Sequence, residues 1–147
     1  MMPFIHRTVA IIAVLCIATF FVSTILAELF GSYETIIMVK GLIVTPGLFI
    51  LIPVVAMTGI TGFILSKSRQ GRLVQIKKKR MPFIGINGVF ILIPCAITLE
   101  YWASAGTFHT SFYIVQAIEL IAGATNLWLM SLNIRDGMRL GGRSRNK

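Results

Sequence analysis

The sequence predicts an all-α protein, a membrane-spanning four-helix bundle, antiparallel and up-down, with both termini in the cytoplasm. Three observations carry this. First, 56% of the 147 residues are hydrophobic and 13% are charged, where a soluble domain has about a quarter charged. The mean hydropathy is +0.84. Second, the apolar residues fall into four runs, about 4–29, 36–65, 82–102 and 111–134. Each is long enough to cross a hydrocarbon core of about 30 Å. Third, the net charge of +9 is segregated into a basic hinge, residues 66–80, and a basic tail, residues 135–147. Such segregation marks topology rather than a nucleic-acid surface, so no nucleic-acid partner is expected. The length suits one transmembrane domain, 1–147.

The first run follows His6 and Arg7. It is too long for a signal-peptide core and ends in no small-x-small cleavage site, so it is expected to remain as a helix. Glu28 is placed at the far membrane surface. A short connection, Phe30 to Thr35, leads into the second run. Thirty residues at about 1.5 Å each exceed the bilayer core, so this helix tilts, bends or protrudes. Pro46 and Pro53 predict bending, because each removes a backbone donor.

The hinge follows, reading SKSRQGRLVQIKKKR. It cannot cross a bilayer, and Gly71 argues against a continuous helix through it. Pro82 suits the first turn of the third helix. Tyr101 and Trp102 fall where an interfacial aromatic belt belongs. Ser104 to Thr110 reads as a polar turn. The fourth run has no proline and ends at an expected Arg135-Asp136-Gly137 turn.

Counting fixes the expected orientation. Arg7, seven hinge residues and five tail residues fall on one side of four crossings, and Lys40 alone among the fourteen basic residues falls on the other. The positive-inside rule then places the hinge and termini in the cytoplasm.

Polar residues inside the apolar runs are the candidate site. Gln116, Glu119, Gly123, Asn126 and Asn133 recur at helical spacing, so they share one face of the fourth helix. That face must point into the bundle, since hydrocarbon would strand it. An intramembrane carboxylate is costly and marks a site. Lys40 is the basic residue nearest Glu119 in depth. Asn87 and Asn126 lie at similar distances from the cytoplasmic ends of their helices and are expected to meet. The interior ion or ligand candidates are therefore Lys40, Glu119, Gln116, Asn126 and Asn87.

A repeated phrase adds to this. Gly47-Leu48-Phe49-Ile50-Leu51-Ile52-Pro53 and Gly88-Val89-Phe90-Ile91-Leu92-Ile93-Pro94 match at six of seven positions, 41 residues apart. On antiparallel helices the two phrases run in opposite senses. Broken helices in opposed repeats line midplane sites in transporters.

Other chemistry is sparsely provided. The two cysteines, Cys16 and Cys95, have no metal spacing and read as small core residues. His6 and His109 fall at opposite ends of the bundle and cannot share a haem. A b-type haem would need His6 alone, or His6 with Met57 or Met130. No metal site is assigned; His109 with Glu100 or Glu28 is the nearest approach to one. Lys77, Lys78, Lys79 and Arg80 form a juxtamembrane cluster suited to anionic headgroups. No hydrolase, kinase, dinucleotide or zinc-protease motif occurs, so catalysis by the chain itself is not expected.

The stretch Asn133-Ile134-Arg135-Asp136-Gly137-Met138-Arg139-Leu140, after a Gln116–Glu119–Asn126 helix, resembles small bacterial four-span inner-membrane proteins of uncharacterised function. The resemblance in length and layout covers the whole chain. It implies a bacterial cytoplasmic membrane and transfers no activity or site. Three functional readings remain. One is a non-enzymatic accessory or binding protein, possessing a partner subunit or a second copy of itself. Another is a proton, ion or small-solute transporter working through Glu119. The third is a haem or quinone redox protein using His6.

Overall fold

A computed structural model describes residues 2–67 and 71–145, with side chains as far as residue 139. Residues 68–70 of the basic hinge and 146–147 of the tail lie outside this set. Four long helices make up the molecule: α1 (Met2–Phe30), α2 (Tyr33–Lys67), α3 (Arg72–Ser104) and α4 (Thr110–Arg145). There is no strand among the described residues. All four helices are long and apolar enough to cross a membrane.

The helices alternate in direction. One end of the bundle, the loop end, gathers Ala27 from the end of α1, Ile36 from the start of α2, Leu99 and Ala103 from the end of α3, and Phe112 from the start of α4. The opposite end carries the N-terminus, the α2–α3 connection and the C-terminal part of α4. Here His6 meets Thr61 and Arg80 meets Asp136. These contacts require each helix to run against the one before it.

Local chemistry sets the turns at the loop end. Ser32 caps α2, its hydroxyl accepting from the Thr35 amide, which occupies one of the donors that a helix start leaves unpaired. Gly106 closes α3 with φ of +68°, a conformation glycine adopts without steric cost. The Thr107 amide then donates to the Trp102 carbonyl.

Two helices are irregular in the middle. In α2 the turns widen over Ile43–Leu48, and Thr45 leaves helical geometry at φ −133°, ψ 111°. The cause is Pro46, whose ring crowds the preceding residue out of the α region. The expected bend therefore falls at Pro46, whereas Pro53 lies within Phe49–Lys67. In α3 the turns widen over Gly88–Leu92, and Pro94 follows in the first turn of Ile93–Ser104. A wide turn accommodates a carbonyl that proline leaves without its donor.

Two expectations are corrected. The hinge is not irregular up to Arg80: α3 begins at Arg72, so the Lys77–Arg80 cluster is helical and Pro82 lies inside the helix. Gly71, at φ of +138°, makes the break just before it. Nor is there a turn at Arg135–Gly137, because α4 continues to Arg145.

The core is thin. Its buried apolar residues are mostly small or medium, such as Ala13, Ile17, Ala96 and Ala103. Large side chains cover the outside instead: Phe4, Phe30, Phe49 and Phe90 are all more than 70% exposed. Small residues inside and large apolar ones outside is the pattern of helices packed in lipid.

Candidate functional site

Three polar layers cross the bundle, separated by apolar wall. The first lies toward the loop end. Lys40, on α2, is among the largest fully buried side chains of the described residues. Its Nζ donates to Glu119 Oε2 on α4 at 2.7 Å. Gln116, one turn before Glu119, donates from Nε2 to the same oxygen at 2.9 Å. The carboxylate thus holds a charged and a neutral donor in a setting where an unpaired charge is expensive. Gln116 Oε1 and Glu28 Oε1 are buried without partners. Glu28, expected at the far membrane surface, lies two residues before the end of α1 and is half-buried.

The second layer joins α3 to α4 at mid-depth. Asn87 Nδ2 donates to Asn126 Oδ1 at 2.8 Å and to the Ala122 carbonyl at 2.9 Å. Asn126 Nδ2 reaches the Ile84 carbonyl at 3.4 Å. Both side chains are buried. Side-chain amides that reach a neighbouring helix's carbonyls fix rotation and register, because either slip would strand them.

The third layer is at the termini end. Arg80 donates to Asp136 Oδ2 at 2.9 Å, and Arg135 Nε lies 3.5 Å from Oδ1. Asp136 is buried. The basic cluster is therefore divided. Arg80 turns inward to α4, Lys77 lies half-buried beside Gly137, and Lys78 and Lys79 are exposed. Nearby, His6 Nδ1 is 2.9 Å from the Thr61 hydroxyl. That hydroxyl donates to the Met57 carbonyl at 2.6 Å, so it accepts from His6. The Nδ1–H tautomer follows.

Two cavities occupy the space between the layers. One, of about 350 Å³, lies between the lysine–glutamate and asparagine layers and reaches both Glu119 and Asn126. Apart from Thr24, its walls are otherwise apolar. The repeated phrases supply matching residues to it: Leu48, Leu51 and Ile52 from α2, and Val89, Leu92 and Ile93 from α3. Each set lies 41 residues from the other, position by position. Phe49 and Phe90, also equivalent, both point outward at 74% and 72% exposure.

The second cavity, of about 1000 Å³, extends to the termini end. Its lining is mostly apolar, with Thr58 and Ser66 among it, and it carries His6, Arg7, Lys77, Lys78 and Asn133. Val55, Ile84, Gly85 and Met130 belong to both cavities, so the two adjoin. Together they give a basic mouth leading to an apolar interior.

The remaining candidates are accounted for. His109 stands edge-on to Trp102, and its Nδ1 accepts from the Phe112 amide at the start of α4. Glu100 accepts from Ser104. His6 and His109 are at opposite ends, so they form no ligand pair. Met130 lines the same cavity as His6. No group of three metal-binding side chains occurs among the described residues, and Cys16 and Cys95 are free.

Sequence reasoning missed Glu28, Thr61 and Asp136. For Asp136 a signal existed: it falls beside Arg80 in depth once α3 is extended back to Arg72. No protein-family model, curated protein or solved structure matches the chain.

Proposed function

We propose that the chain is a multi-pass protein of a bacterial cytoplasmic membrane that binds a single-chain anionic amphiphile and has no enzymatic activity of its own. The termini end, with the hinge and the tail, faces the cytoplasm, as the distribution of basic residues favours. The observation that carries the reading is the pair of adjoining cavities with cations only at one mouth. An acidic head suits Arg7, Lys77 and Lys78, and an apolar chain suits the walls above them. Few polar groups converging on a mainly apolar cavity is the usual form of a ligand site.

The test is to purify the protein in mild detergent and identify what it retains by mass spectrometry. An acidic, single-chain species enriched over the bulk membrane lipid supports the reading. Retention of lipid in the proportions of the membrane opposes it. A coloured preparation, or a retained quinone, would favour redox chemistry at His6 instead.

A second reading, passage of a proton or small ion past Glu119, is favoured by the matched lining of the midplane cavity by the two opposed phrases. It expects Glu119→Gln to abolish a flux in proteoliposomes while the fold survives, and unchanged flux would remove it.

A further inference from the structure

We infer that the midplane cavity recognises a hydroxyl group, and that the bound amphiphile is a long-chain acid carrying that hydroxyl at the far end of its chain. The inference rests on the amphiphile reading and names the chemistry of the ligand's inner end.

Thr24 is the polar residue that an apolar cavity leaves unexplained. Thr19, Thr58, Thr61 and Thr125 each donate the hydroxyl hydrogen to the carbonyl four residues earlier, which is how a threonine inside an apolar helix satisfies itself. Thr24 is 2% exposed, lines the midplane cavity and makes no side-chain hydrogen bond among the described residues. A buried hydroxyl without a partner carries a cost that a ligand group can recover.

Glu119 stands at the same depth. The antiparallel α1 and α4 touch at Gly123, where a Cβ would lie 3.4 Å from Phe21 Cδ2. One turn from that contact toward the loop end come Thr24 on α1 and Glu119 on α4, and both line the cavity. Glu119 Oε2 is taken by Lys40 and Gln116, while Oε1 receives no hydrogen bond among the described residues. Asn126 lies on the other side of Gly123 and is already committed to Asn87 and the Ile84 carbonyl. The loop-end wall of the cavity therefore offers one hydroxyl and one carboxyl oxygen without partners.

These two groups select the ligand's chemistry. Glu119 Oε1 presents an acceptor, and Thr24 both donates and accepts. A ligand hydroxyl gives its hydrogen to Glu119 and takes the one from Thr24. A ketone or an ether answers Thr24 alone. A second carboxylate sets like charges together at Glu119, and an ammonium adds a second buried cation beside Lys40. A methyl end leaves both groups unmet.

The helix also sets a length. Gly137, where a Cβ would lie 3.1 Å from Lys77 Nζ, marks the basic mouth on α4. Glu119 is eighteen residues earlier in the same helix, about 27 Å along its axis. Allowing about 3 Å for a hydrogen bond at each end, roughly sixteen carbons span the rest at about 1.3 Å each in an extended chain. Such a chain passes Gly85 and Met130, which line both cavities.

The test is competitive retention. The purified protein in mild detergent is given an equimolar mixture of hexadecanoate, its ω-hydroxy form and its α-hydroxy form, then re-purified, and the retained acids are quantified by mass spectrometry. The two hydroxy acids have one composition, so a general gain from polarity would favour both. The expected result is retention of the ω-hydroxy form about tenfold over either of the others, the worth of about one net hydrogen bond. Thr24→Val should bring that ratio close to one without lowering retention of hexadecanoate, and Thr24→Ser should keep it. Circular dichroism checks that both variants fold, and the wild-type ratio decides the matter if Thr24→Val does not. Equal retention of the three acids by the wild type, or a preference that survives in folded Thr24→Val, would overturn the inference and leave the amphiphile reading standing. Retention of none of them would remove both.

Discussion

Lys40 Nζ and Glu119 Oε2 are 2.7 Å apart although 79 residues separate them in the chain. The pair joins α2 to α4, helices that run in the same direction and are not consecutive. It is the one ion pair at the loop end among the described residues, and little of it meets solvent, with side-chain exposures of 2% and 12%. Removing one member strands the other, at a cost of about 3–5 kcal/mol. Lys40→Met should therefore unfold at clearly lower denaturant than the wild type. Lys40→Met/Glu119→Gln should recover most of the loss, because no isolated charge remains. A double variant that falls by the sum of the two single losses would show that the pair is not coupled.

The asparagine layer behaves differently because it is uncharged. Asn87→Leu leaves Asn126 Oδ1 without its donor, and Asn126→Leu removes an acceptor of Asn87. Polar contacts between membrane helices contribute about 0.6–2 kcal/mol. The two substitutions should be subadditive by roughly that amount, measured as shifts in unfolding midpoint. Strict additivity would show that Asn87 is held by the Ala122 carbonyl alone.

Much of this architecture is legible in the sequence, and the residues show why. The four runs are visible because lipid-facing helices are apolar all round. The inward face of α4 is visible because its polar residues recur at helical spacing. What hydropathy cannot show is where a helix ends once it leaves the apolar region. Arg72–Arg80 is polar yet helical, and Asp136-Gly137 reads as a turn yet continues α4. Both are explained by contacts distant in sequence: Asp136 takes Arg80, and Gly137 leaves room for Lys77. Counting residues puts Glu28 near the end of α1, where it lies, but cannot show that one of its carboxylate oxygens is buried.

The inward turn of Arg80 separates it functionally from its neighbours. Arg80→Gln leaves Asp136 buried with only the more distant Arg135, so it should destabilise the bundle by a few kcal/mol, in the range of a broken buried pair. Lys79→Gln, at an exposed position, should stay within about 0.5 kcal/mol of wild type. Thermal unfolding in detergent separates the two. Equal effects would mean that Asp136 does not depend on Arg80.

Glycine positions offer a contrast in packing. A Cβ at Gly47 would stand 2.7 Å from Phe20 Cζ and 2.9 Å from the Leu42 carbonyl oxygen, whereas one at Gly41 meets nothing within 4 Å. Gly47→Ala should cost about 1–3 kcal/mol by overpacking, and Gly41→Ala should cost nothing. Because Gly47 lies beside the Thr45–Pro46 break, the crowding there meets backbone on one side and an aromatic ring on the other. A stable Gly47→Ala would mean that the break relaxes to admit the methyl group.

Gly85 connects the cavities to the proposed ligand. It lines both of them, and a Cβ there meets nothing within 4 Å. A larger side chain at this position grows into open space rather than into a neighbour. Gly85→Leu should therefore fold, and the change also favours helix by up to about 1 kcal/mol. If an apolar chain passes from the basic mouth toward the midplane, the leucine occupies its path and retention of the amphiphile should fall at least tenfold. Arg7→Gln/Lys78→Gln should weaken retention by a smaller factor that shrinks further as salt is raised, because it removes only charge at the mouth. The two variants thus act on the two ends of one ligand. Undiminished retention in a well-folded Gly85→Leu would place the amphiphile on the outer surface of the bundle and remove the interior cavities from the binding site.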